Sequence, residues 1–240
     1  MINYIKNGSA KIWTSISSLN KDKFMILCNG GPGCCDYLEP VSGMIDDEYN
    51  VIRFEQRGCG RSVKDGNYDL HTAVSDLEAI RKYYRIDTWV VGGHSWGANL
   101  ALVYAIINPD RVKAIIYIAG SGIHDNRHWN EEFHRKLEEV GEELPDMEFP
   151  FNQEVNAEGN RTLREFGRAP DFYLRVAKLT VPSLFIVAEN DIRPSWPVEQ
   201  LCTLMKNSTM VYVTGAANYI WLTHYNEMKK ILRGYLKLIV

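Results

Sequence analysis

A serine hydroxyl acts as a nucleophile only where the backbone lifts it clear of its neighbours, and Gly93-His94-Ser95-Trp96-Gly97 has the residue types for that. The run lies between the apolar segment Trp89 to Gly92 and the helix-like segment Ala98 to Ile107, so it reads as strand, tight turn and helix. Glycines stand on both sides because side chains there would clash with the turning backbone. Ser95 is the candidate nucleophile, and the backbone N–H of Trp96, at the helix start, is a donor for a developing oxyanion. A Gly-rich turn before a helix is the plainer alternative.

The other parts of such a centre can be sought one at a time. A second oxyanion donor belongs in the turn after an early strand, and Asn29-Gly30-Gly31-Pro32-Gly33 follows Phe24 to Cys28. Gly31 is the chosen donor, although spacing alone fits a simple Gly-Pro turn as well. For the acid, Glu189-Asn190-Asp191 follows the apolar run Leu184 to Ala188, and a carboxylate at that strand end faces the same edge as the turn at Ser95. Asp191 is the favoured member, with a solvated loop acid as the alternative. Cys34 and Cys35 have no histidine close in sequence and are not read as nucleophiles.

These residues need a rigid frame. Short β-rich runs (Lys11 to Ile16, Phe24 to Cys28, Val51 to Phe54, Trp89 to Gly92, Val112 to Ile118, Leu184 to Ala188, Met210 to Thr214) alternate with helical patterns. Leu70, Val74, Leu77, Ile80 and Tyr84 recur at helical spacing behind an N-cap at Asp69, which predicts a helix from there to Tyr84. Continuously apolar strands such as Ala114 to Ile118 are those of a sheet covered on both faces. The fold class is α/β, with a mostly parallel central sheet covered by helices on both faces. The pattern breaks in a charged, Pro-containing stretch, which predicts a core over 1–121, a helical cap inserted over 122–176 and a second part of the core over 177–240.

With 240 residues, 45% hydrophobic and 24% charged, the chain is long enough for one large domain. A net charge of −3 with mixed Lys and Arg gives no footprint for nucleic acid or anionic membrane, so a small peptide or small-molecule substrate is expected. Met1 to Ile16 lacks the apolar core of a secretory signal, which predicts a cytoplasmic protein. The oligomeric state is not legible. Five irregularly spaced cysteines argue for free thiols rather than a disulfide or zinc framework.

Four ordered motifs, Asn29-Gly-Gly-Pro-Gly33, Glu55-Gln-Arg-Gly-Cys-Gly-Arg-Ser62, Gly93-His-Ser-Trp-Gly97 and Glu189-Asn-Asp-Ile-Arg-Pro194, together resemble the proline iminopeptidase branch of the α/β hydrolases. The likeness covers Lys23 to Arg111 and Thr180 to the end, and fades in the cap. It implies an α/β-hydrolase fold, Ser95 as nucleophile, Asp191 as triad acid, and Gly31 and Trp96 as oxyanion donors. It also implies release of an N-terminal proline from peptides, with no metal or organic cofactor.

Two departures from the family pattern stand out. Asn29 replaces the first residue of the usual His-Gly-Gly-Pro-Gly, and Ala217-Asn218 stands where a Gly-His pair normally carries the catalytic imidazole. An asparagine amide hydrogen-bonds but does not take up a proton near neutral pH, so Ser95 lacks its general base. An impaired enzyme, a ligand-binding protein or a deliberately inactivated variant is therefore the alternative to a working serine hydrolase. Of the other histidines, His224 is read onto the final helix, His94 onto a turn that directs it away from Ser95, and His124 and His128 near the cap. Glu131, Glu132, Glu138, Glu139, Glu142 and Glu143 either meet a substrate ammonium or form a solvated helix face. Trp129, Phe133, Phe149, Phe151 and Phe172 either line an apolar pocket or anchor the cap.

Overall fold

The computed structural model describes residues 1–239. Eight strands are β1 (Ile2–Asn7), β2 (Ala10–Ile16), β3 (Phe24–Cys28), β4 (Asn50–Phe54), β5 (Trp89–His94), β6 (Val112–Ile118), β7 (Ser183–Ala188) and β8 (Ser208–Val213). The helices are α1 (Glu39–Ser42), α2 (Leu70–Tyr83), α3 (Trp96–Ile107), α4 (Arg127–Val140), α5 (Gln153–Gly167), α6 (Phe172–Lys178), α7 (Trp196–Leu204) and α8 (Trp221–Leu236). They build one sheet in the order β1-β2-β4-β3-β5-β6-β7-β8, in which only β2 runs against its neighbours.

Strand alternation fills two cores. Ile26, Val91, Tyr117 and Phe185 face the layer of α2, α3, α6 and α7, whereas Leu27, Val90, Ile116 and Ile186 face α1 and α8. Asp69 caps α2 as expected, its Oδ1 accepting the Thr72 N–H at 2.9 Å. Strand β1 was not foreseen: its Ile-Asn-Tyr-Ile-Lys-Asn run is half polar, and it forms an antiparallel edge with β2 around Gly8. Strand β8 begins two residues earlier than expected and is mostly half-buried.

After β3 the chain goes outward to β4 and then returns past β3 to β5, so the chain changes direction across the sheet between β3 and β5. Such a crevice outside the carboxyl ends of the strands is where this architecture binds ligands. The pairing of Cys28 with Gly93 sets the loop after β3 beside the turn after β5. Three helices, α4 to α6, separate β6 from β7. Phe172 and Val176 of α6 are buried in the first core, leaving α4 and α5 as the helices that contribute to the cavity at the sheet's carboxyl edge. Among the described residues, no helix is long and apolar enough to cross a membrane.

Candidate active site

Between β5 and α3, Ser95 stands alone with φ 55° and ψ −122°. Its N–H donates to Ile118 O at 2.9 Å and its carbonyl accepts the Ala98 N–H at 3.0 Å. The flanking glycines are steric requirements. A Cβ on Gly97 would lie 2.1 Å from Cys28 O, and one on Gly93 would lie 2.1 Å from Gly97 O. The helix start and the end of β3 are thus in backbone contact, which leaves no room for side chains at Gly93 and Gly97.

The loop after β3 closes against this turn. A Cβ on Gly30 would approach Ser95 Cβ to 2.9 Å, and Gly31 has φ 115°. Asn156 of α5 donates through Nδ2 to the Gly31 and Pro32 carbonyls, at 2.8 and 2.9 Å. Asn29 donates to the Cys34 and Cys35 carbonyls at 2.8 and 3.2 Å, so the residue that departs from the family pattern ties the loop to itself. Among the described residues, the Gly31 and Trp96 amides donate to no protein acceptor, and both residues line the cavity that Ser95 faces.

On the far side, Asn218 donates through Nδ2 to Asp191 Oδ2 at 2.7 Å and to Ala119 O at 3.1 Å. Two acceptors on one side fix the amide's orientation, and leave Asn218 Oδ1 buried without a partner among the described residues. The loops that carry the pair are laced together: Asn190 N–H donates to Ala216 O at 2.9 Å, and Gly215 N–H to Glu189 Oε2 at 3.0 Å. Asp191 is therefore the acid that faces Asn218, whereas Glu189 serves its neighbouring turn.

Arg193, which the sequence reading left unassigned, completes this side. Its backbone N–H and Nη1 donate to Asp191 Oδ1 at 2.9 and 3.1 Å. The same guanidinium forks onto Glu142, with Nη1 to Oε1 at 2.5 Å and Nη2 to Oε2 at 3.1 Å. Burial works against its charge, but the two carboxylates outweigh that and raise its pKa. Its charge and its place in the Glu189–Pro194 motif were visible; its partner, more than fifty residues earlier, was not. Of the carboxylates on α4, Glu131, Glu132 and Glu139 pair with basic residues along the helix, as on a solvated face.

No histidine reaches Asp191 among the described residues. His94 is fully buried, and its surroundings specify its tautomer: the Asn218 carbonyl can only accept, so the neutral ring carries its proton on Nε2 and its Nδ1 accepts the Tyr37 O–H at 2.8 Å, while the Tyr37 oxygen accepts the Gly30 N–H at 2.6 Å. Nε2–H then donates to the Asn218 carbonyl at 3.0 Å. Burial, aided by the charge of Arg193, pushes this imidazole down to about 3, so it is neutral. Rather than a base, it is a strut that joins the loop after β3, through Tyr37 and Gly30, to the Asn218 loop. His128 is exposed on α4, His224 bonds with Thr223, and His124 lines the cavity against Trp129.

The cavity measures about 460 Å³. Trp129 and Phe133, stacked at 5.5 Å, form part of its wall, with Asn130, Asn156, Asn160 and Arg164 around them. Phe149 and Phe151 lie instead at a separate cleft beside Gly58 and Lys64, and Phe172 is in the core. Cys34 is no rival nucleophile: burial, with Cys35 beside it, pushes its thiol up to about 12. No cluster of three or more His, Cys, Asp or Glu among the described residues is placed to hold a metal ion.

The comparisons agree with this frame. Over 125 residues the chain is 37% identical to a putative proline iminopeptidase of Mycoplasma pneumoniae, a stretch covering 47% of this chain and 38% of that protein. Over 116 residues it is 34% identical to the proline iminopeptidase of Xylella fastidiosa, covering 46% and 36%. The matched stretches thus span well under half of these relatives. Among solved structures, the proline iminopeptidase of Mycobacterium smegmatis superposes with a TM-score of 0.77 at 16% identity, covering 100% of this chain and 98% of that one. The esterase EaEST of Exiguobacterium antarcticum does so with 0.81 at 16%, covering 99% and 100%. At that identity the likeness is one of fold. The profile described as alpha/beta hydrolase fold matches residues 23–191, and with Ser95 on its turn between β5 and α3 the chain belongs to the α/β hydrolase family.

Proposed function

We propose that this chain is a serine hydrolase of small amides or esters whose proton-transfer step is impaired. In this reading Ser95 Oγ attacks the substrate carbonyl while the Gly31 and Trp96 amides hold the oxyanion; collapse of the adduct expels the amine or alcohol, which departs with the Ser95 proton passed through water, and a second water hydrolyses the ester left on Ser95 to the free acid. The names of the relatives make an N-terminal proline-like residue of a short peptide the first substrate class to test. The observation that carries the reading is the juxtaposition of a strained Ser95, two unengaged amides and an Asp191 already oriented toward position 218. Asn218 can order Asp191 as an imidazole would, yet it cannot accept the Ser95 proton or return it to the leaving group. Loss of one member of such a unit can lower kcat by ~10⁶-fold, with residual turnover from the oxyanion donors and binding.

The deciding experiment is Asn218→His, assayed with proline p-nitroanilide and p-nitrophenyl acetate. A rise of about 10³-fold or more, with fluorophosphonate labelling of Ser95, is expected. A folded variant with no rise would overturn the reading. A second reading, a protein that binds its ligand without consuming it, is favoured by the Asn218–Asp191 bond. It expects saturable ligand binding with no turnover by the unaltered chain, and measurable hydrolysis that disappears in Ser95→Ala would reject it.

A further inference from the structure

Resting on the reading that the Ser95 cavity is the ligand site, and in place of the ammonium-bearing N-terminal residue that the relatives' names suggest, we propose that it selects a small ligand bearing a carboxylate, held by Arg193 and Arg164, over one bearing an ammonium group.

The lining carries two guanidinium groups and three side-chain amides, and no carboxylate. Asp191 and Glu142 are near, but neither lines the cavity and both are engaged by Arg193. An incoming ammonium would have to take one of these carboxylates from a forked, mostly buried guanidinium. A carboxylate needs no such exchange. Of the five N–H donors of Arg193, two on Nη1 and one on Nη2 are used; Nε–H and the second Nη2 hydrogen have no protein acceptor among the described residues. Those donors belong to a cavity-lining residue that stays charged at all relevant pH.

Arg164 supplies the second cation. Its nearest acid, Asp125, is 4.0 Å away and is bound more closely by Arg168 at Nε, 2.9 Å. Arg164 is therefore weakly paired and available to the cavity it lines. Asn130 and the stacked Trp129–Phe133 pair line the same cavity and add polar and aromatic contact. The ligand class is an ester or amide of a short dicarboxylic acid, or its product, with the reacting carbonyl at Ser95 and the free carboxylate at the guanidinium side.

Binding to the intact chain separates the possibilities by isothermal titration with glutarate, glutaramide and 1,5-diaminopentane, three probes of similar length. Glutarate is expected to bind at least about tenfold more tightly than glutaramide, with no measurable binding of the diamine. Arg164→Gln is expected to lower the glutarate-to-glutaramide ratio by about threefold or more, a ratio that a general loss of folding would not move selectively. Equal binding of the acid and the amide, tighter binding of the diamine, or no binding of any probe overturns the proposal. Esterase assays then distinguish this failure from that of the hydrolase reading. Turnover of p-nitrophenyl butyrate without preference for mono-p-nitrophenyl glutarate sinks only the carboxylate inference. Carboxylate-selective binding without turnover, even in Asn218→His, sinks only the hydrolase reading.

Discussion

Asn218 Nδ2 lies 2.7 Å from Asp191 Oδ2, so the side chain at position 218 already occupies the acid that would orient an imidazole. The rest of the acid's shell is complete without a histidine, because Arg193 satisfies Oδ1 through both its backbone and its guanidinium. In an Asn218→His background, Asp191→Asn is therefore expected to remove most of the gained activity, about 10³- to 10⁴-fold in kcat, with a smaller effect on KM. In the unaltered chain the same substitution should change turnover far less. Steady-state kinetics on the four proteins of this cycle measure the coupling.

Gly97 is set against the backbone of β3, with Cys28 O and Asn29 O at 2.1 and 2.6 Å from where its Cβ would be. Gly97→Ala should cost about 3 kcal/mol by urea unfolding, since backbone atoms must move to admit it. Gly8, whose Cβ would meet nothing within 4 Å, is the control: with φ 62° its replacement by Ala should cost only about 1 kcal/mol. Equal losses would show that steric contact at Gly97 is not the determinant.

His94 makes stability depend on pH. Unfolded, its imidazole gains a proton as pH falls through about 6.5. In the folded protein burial delays that to about 3. The neutral strut's contribution is thus complete above pH 6.5 and is lost as pH falls toward 3, at about 1.4 kcal/mol per pH unit. Urea unfolding at pH 7, 6 and 5 should show this component in the unaltered chain and its absence in His94→Asn, which should also be less stable at pH 7. Identical slopes in the two proteins would contradict the buried, neutral assignment.

Glu142 fastens the segment after α4 to Arg193 through a two-pronged, largely buried pair. Glu142→Gln should lower stability by about 2 kcal/mol and speed amide hydrogen exchange in α4 more than in α3. A variant whose α4 exchanges at the original rate would mean that the Trp129 indole, donating to Pro194 O at 2.8 Å, suffices to hold the helix.

The core strands and Ser95's place were legible because their signals are local: apolar runs, flanking glycines and a cap at Asp69. Position after β7 alone did not separate Asp191 from Glu189, and the family resemblance added to the choice; in the structure one faces Asn218 while the other accepts a turn amide. Strand β1 escaped notice because an edge strand exposes half of its residues and needs no apolar run. Arg193 with Glu142, and His94 with Tyr37, escaped for a different reason. Each is a pair of polar residues made meaningful by a partner far away in the chain, and the fold alone brings them together. The same applies to Asn156, an ordinary helical residue whose amide pins the loop of Gly31.

The backbone at Ser95 adopts a conformation that a glycine reaches freely and that any side chain resists by about 1–3 kcal/mol. Ser95→Gly is consequently a substitution that should make the protein harder to unfold while erasing the hydroxyl. Thermodynamics pulls this position toward the smallest residue. Against that pull the chain keeps an oxygen atom in the cavity lining, although the amide it carries at position 218 takes up no proton.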